Sequence, residues 1–61
     1  MKYNIIFCFT RADGRIETDE AGVEIYHREE VEANTKFGAL RNFMRKNRFV
    51  KRPEIIEIIG E

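Results

Sequence analysis

From Lys2 to Thr10 nearly every position is apolar: Tyr3, Ile5, Phe7 and Phe9 share one parity of an extended chain, and Ile6 and Cys8 share the other. A strand covered on one face alternates apolar with polar, so this run predicts a strand in the middle of a sheet, or one whose second face meets another chain. Between Lys36 and Arg52 the period changes. Phe37, Leu40, Phe43 and Met44 fall within one arc of a helical wheel, and Arg41, Arg45, Lys46 and Arg48 fall on the opposite arc, which predicts an amphipathic helix with the first set buried. Asn34 or Thr35 caps its start, because either side-chain oxygen can accept from a free N–H of the first turn. Asn47 stands where the apolar arc would continue, so the helix ends near Asn47 or Arg48. Gly38 lies inside the second turn on the basic arc and is about 1 kcal/mol less favourable there than alanine.

The segments between these elements carry turn signals. Asp13-Gly14, within Arg11 to Arg15, offers the positive-φ positions of a tight hairpin turn. Ile16 to Thr18 extends that hairpin, Asp19 to Gly22 gives a second turn or bulge, and Val23 to Ala33 is the next extended run. Val23, Ile25, Val31 and Ala33 share a parity that His27 and Glu29 interrupt, predicting a bulge or strand end between His27 and Glu30. Pro53 suits the first position of a strand running from Glu54 to Ile59, and Gly60 ends it.

Strand, strand, helix and strand make one α+β domain over residues 1–61. It is a small ββαβ unit with a three-stranded, mostly antiparallel sheet, the first strand central, and one helix packed on one face. The larger row, Tyr3, Ile5, Phe7 and Phe9, turns inward, with Phe7, Phe37, Leu40 and Met44 packing together. That leaves Ile6 and Cys8, with Ile55 and Ile59 of the last strand, on the open face as an apolar patch for a homodimer or another protein partner.

Charge adds a second feature. The formal net charge is zero, yet Asp13 to Glu32 holds eight acids and two bases, whereas Lys36 to Arg52 holds seven bases and no acid. Such a partition suits two solvated faces that partly neutralise one another, or a basic surface for an anionic partner. Length restricts the chemistry further: a domain of this size buries only about 60% of the surface its unfolded chain exposes, leaving little interior for a substrate cleft. No cofactor and no small-molecule substrate are expected. A single cysteine permits no intrachain disulfide and fits a reducing compartment. The apolar run Ile5 to Phe9 is too short for a signal-peptide core or a membrane span, so the expected location is cytoplasmic.

No catalytic constellation emerges. The chain has no serine, its glycines are scattered, and Cys8 with His27 is the sole Cys–His combination. A catalytic thiol needs an exposed, electropositive setting, and Cys8 stands between Phe7 and Phe9. One cysteine and one histidine fall short of a zinc site. Glu29, Glu30 and Glu32 read as charges along a sheet edge that discourage sheet-to-sheet aggregation. The basic cluster remains. Arg41, Arg45 and Arg48, at i, i+4 and i+7, align along one helix side with Lys51 and Arg52 following, an arrangement able to track successive phosphates. With Phe37 and Phe43 assigned to the core, nucleic-acid contact would be to backbone or shape, without base stacking.

Glu30-Val31-Glu32-Ala33, then Ala39-Leu40, then Val50-Lys51-Arg52 with Ile55 form a pattern in which a strand leads into a helix and on to a basic strand start. In this the half from Glu29 to Ile59 resembles the archaeal large-subunit ribosomal protein LX family. The resemblance implies an RNA-binding fold with a basic connection on the ribosome. The residues themselves favour a non-catalytic protein-binding module, an inhibitor or adaptor that occupies a macromolecular partner. The alternative is an RNA-binding or ribosome-associated domain using Arg41, Arg45, Arg48, Lys51 and Arg52.

Overall fold

A computed structural model describes residues 1–47 and 52–60 of the chain. Its elements are β1 (Lys2–Cys8), β2 (His27–Glu32), α1 (Lys36–Lys46) and β3 (Glu54–Gly60), in the order β2-β1-β3 across one antiparallel sheet, with the helix on one face. The first strand is central, as its two apolar faces require. Tyr3, Ile5 and Phe7 point to the helix and, with Val31, Ala39 and Phe43, form the buried core. Phe9, Ala33, Leu40, Met44, Ile55 and Ile58 pack around it, half-buried.

The helix is set by its first turn. Thr35 is extended and its Oγ1 accepts from the Gly38 N–H at 3.0 Å, satisfying one of the free donors of the helix start. At the other end Asn47 closes the helix, its N–H donating to the Phe43 carbonyl at 3.1 Å. Two further side chains fix the helix on the sheet. Asn42 Nδ2 donates to the Glu32 carbonyl at 3.3 Å, and Asn47 Nδ2 donates to Glu29 Oε2 at 2.7 Å, so α1 is tethered to β2 from its middle and from its C-cap.

These tethers give the helix a different rotation from the expected one. Ala39 and Phe43 point into the core, Leu40 and Met44 flank them, and Phe37 is turned out, 76% exposed. Phe37 is therefore not a core residue, and the aromatic under the helix is Phe43, whose ring meets Phe7 at 4.9 Å.

β1 does not turn directly into β2. Beyond Cys8 the two strands diverge, and residues 16–18 fill the wedge between them: Glu17 N–H donates to the Phe9 carbonyl, and the Glu17 carbonyl accepts from Ile25 N–H, each at 2.8 Å. Single bridging pairs, Thr10 with Ile16 and Thr18 with Glu24, continue the pattern. Two turns close this arm. Gly14 and Gly22 adopt φ of 84° and 82°, the left-handed region in which a side chain is strained. Asp13 Oδ1 accepts from Arg15 N–H, and Asp19 Oδ1 accepts from Ala21 and Val23 N–H, so each turn is locked by an aspartate within it.

Two strand details depart from the sequence reading. The expected strand end falls at His27, where β2 begins, but His27 to Glu30 is itself paired with β1 and holds no bulge; the irregular stretch is residues 25 and 26. The helix side of β2 accepts these polar residues because His27 stacks on Phe7 at 5.3 Å and Glu29 reaches Asn47. In β3, Ile6 faces Glu57 but Phe7 faces Ile55, so Ile56 is an extra residue that forms a bulge. The bulge switches parity. Ile55 and Ile58 both pack toward the helix side, which removes Ile55 from the open face, where only Ile59 of β3's expected pair sits beside the Ile6 row. Gly60 ends the strand against Tyr3, where a Cβ would lie 3.1 Å from the ring.

Candidate functional site

The outer face of α1 gathers the basic residues singled out above. Arg41 and Arg45 are exposed one turn apart, Lys36 and Lys46 are exposed at the two ends, and Arg52 is exposed just before β3. Arg48 and Lys51 lie outside the described residues. Among the described residues the ion pairs are Lys2 with Glu30 at 3.7 Å and Arg11 with Asp13 at 3.2 Å, so none of these five bases has a carboxylate partner there. Arg45 and Lys46 occupy the last turn of the helix, where positive charge complements the carbonyl end of its dipole.

Phe37 changes the character of this face. Its ring stands one turn before Arg41, with the half-buried Leu40 and Met44 beside it, so the surface combines a large exposed apolar group with cations that have no carboxylate partner among the described residues. Arg41 also borders a shallow hollow of about 260 Å³ that Thr35, Gly38 and Asn42 help to line. The sequence arc concealed this because the same apolar residues fit several helix rotations. The signal that selects one is polar: Asn42 and Asn47, both turned toward β2.

The opposite face of the sheet has an excess of the other sign. Glu30 and Glu32 on β2 and Glu54 and Glu57 on β3 are exposed and point away from the helix, beside the two bases of that face, Lys2, which pairs with Glu30, and Arg28. The central row between them is largely closed over. Asn4 is 5% exposed, its Oδ1 accepting from Arg28 Nε at 3.1 Å, and Cys8 is fully buried. Ile6 is half-buried and Ile59 is 40% exposed. Long side chains of the flanking strands cover a central strand in this way, so the expected flat apolar patch of Ile6, Cys8, Ile55 and Ile59 reduces to Ile6 and Ile59.

Cys8 and His27 do not meet. Cys8 lies on the open face, whereas His27 is paired opposite Phe7 on the helix face, in a three-ring cluster with Phe7 and Phe9. Burial first, then the negative charges of Glu54 and Glu24, push the Cys8 thiol above its ordinary value, the reverse of what a nucleophilic thiolate requires. Among the described residues no cluster of three metal-ligating side chains occurs, and no helix is long and apolar enough to cross a membrane. Comparison with protein-family models, with curated proteins and with solved structures gives no match.

Proposed function

We propose that this chain is a non-catalytic binding module that occupies an acidic surface of a partner protein through the outer face of α1, acting as an inhibitor or adaptor. Phe37 seats in a pocket of the partner, and Arg41 and Arg45 follow it one and two turns along the helix. The observation that carries this reading is the 76% exposure of Phe37 beside bases that have no carboxylate partner among the described residues. An aromatic ring left in water forgoes roughly 1.5–3 kcal/mol of burial, which docking recovers, and aromatic and arginine side chains dominate the energetics of protein interfaces. The test is to compare partner capture by the wild-type chain, Phe37→Ala and the pair Arg41→Glu with Arg45→Glu. The expected result is one specific protein retained by the wild type and lost by both variants at unchanged melting temperature. Capture indifferent to both changes counts against the helix face.

The exposure of Phe37 also favours a second reading, single-stranded RNA. A base can stack on the ring while Arg41 and Arg45 meet phosphates. Phosphate contacts make affinity fall steeply with salt, so a titration of generic single-stranded RNA separates the two. Absence of binding at low salt removes this reading.

A further inference from the structure

The sheet has two edges of opposite character. β2 carries Arg28, Glu29, Glu30 and Glu32 within six residues, the kind of charged edge that resists pairing with another chain. β3 carries four isoleucines in seven residues, with Ile56 48% and Ile59 40% exposed. β1 occupies one side of β3, and among the described residues no strand occupies the other. An apolar edge of this kind is a template for strand addition, with main-chain hydrogen bonds giving affinity and alternate side chains giving selectivity.

Charge selects the occupant. β3 is acidic without compensation: Glu54 and Glu57 form no ion pair among the described residues, and both face away from the helix, opposite Cys8 and Ile6. A second copy paired antiparallel about the middle of β3 would set Glu57 against Glu57, and like charges directly opposite one another destabilise a sheet. A strand bearing bases meets no such opposition. Because the bulge absorbs Ile56, two carboxylates three residues apart in sequence share one face, and β1 meets them with side chains two apart. A regular partner strand meets them in the same way, with bases at alternate positions. Its other face then continues the row of Ile55 and Ile58 on the helix side.

We infer that the free edge of β3 takes up, as a fourth strand, an extended peptide segment in which basic and apolar residues alternate. The basic side chains face Glu54 and Glu57, and the apolar ones extend the sheet's helix-side layer. This surface is separate from the helix face, and the inference does not rest on the reading given to that face.

The probe is a short labelled peptide of alternating lysine and valine, with an alternating glutamate and valine peptide as its counterpart. Fluorescence anisotropy reads affinity, and amide hydrogen exchange by NMR reads where the peptide sits. The expected result is binding of the lysine peptide that weakens with salt, with new protection in Glu54–Gly60. The double reversal Glu54→Lys with Glu57→Lys is expected to weaken it about tenfold and to transfer preference to the glutamate peptide. Glu54→Gln with Glu57→Gln, a milder change at the same exposed positions, should fall between. Phe37→Ala should leave binding unaltered. Affinity indifferent to the reversal, protection absent from β3, or loss of binding in Phe37→Ala would each overturn the inference. So would a β3-mediated dimer, seen by sedimentation equilibrium, that excludes the peptide.

Discussion

Phe37 and Phe43 are the same residue type on the same helix with opposite surroundings. Phe43 is fully buried and its ring lies against Phe7, whereas Phe37 touches mostly solvent. Truncating a buried phenylalanine removes transfer energy and leaves a cavity, so Phe43→Ala is expected to cost about 3–5 kcal/mol, enough to unfold much of so small a domain. Phe37→Ala should stay within about 0.5 kcal/mol of the wild type. Urea denaturation midpoints check both, and equal shifts would mean that the helix is rotated differently. The inward row Tyr3, Ile5 and Phe7 was legible because a strand's two-residue period leaves a single choice of face once one row is larger. Phe37 was not, because Leu40, Phe43 and Met44 remain near the sheet through a broad range of helix rotations. The choice among these is made by Asn42 and Asn47 reaching β2, long-range polar contacts that an apolar periodicity does not contain.

The helix as an element starts at a coupled pair. Thr35 Oγ1 accepts from Gly38 N–H, and a Cβ added at Gly38 would lie 3.2 Å from that same oxygen. The glycine thus accommodates the cap at the expense of helix propensity. Thr35→Ala is expected to cost about 1 kcal/mol through loss of the cap. Gly38→Ala should gain less than the roughly 1 kcal/mol its propensity offers, because the new methyl crowds the threonine. In the double variant that crowding is gone, so Gly38→Ala should stabilise more on the Thr35→Ala background than on the wild type. A double-mutant cycle by thermal or urea denaturation measures this, and strict additivity would contradict the coupling. The helix limits themselves were legible from Thr35 and Asn47, and the start of β3 from Pro53. The β3 bulge was hidden because Ile55, Ile56, Ile58 and Ile59 populate both parities, so the apolar pattern fits more than one register.

Across the whole molecule the helix presents bases and the far side of the sheet presents four glutamates beside Lys2 and Arg28, in a body whose Cα atoms span 37 × 22 × 14 Å. The charge partition of the sequence becomes a partial separation of faces because Lys36 to Lys46 forms the helix layer and Glu30, Glu32, Glu54 and Glu57 point the other way, whereas Glu29 lies on the helix side and meets Asn47. The element order was legible, since a strand apolar on both sides must be central. The wedge of residues 16–18 was legible only as a hairpin extension, because its partner at residues 24 and 25 comes later in the chain. That wedge has a consequence for the rate of folding. Phe7 and His27 pair with residues 8–26 between them, and closing a loop of that length in one step carries an entropic cost that rises with its span. The two aspartate-locked turns divide the closure into two short local ones, each of which brings the next pair of strands within reach. If the arm forms ahead of the sheet, Gly14→Ala and Gly22→Ala, each costing about 1 kcal/mol at a left-handed position, slow refolding about fivefold and leave unfolding nearly unchanged. Stopped-flow refolding and unfolding limbs show this directly, and an effect confined to the unfolding limb would mean that the sheet closes first and the arm settles afterwards.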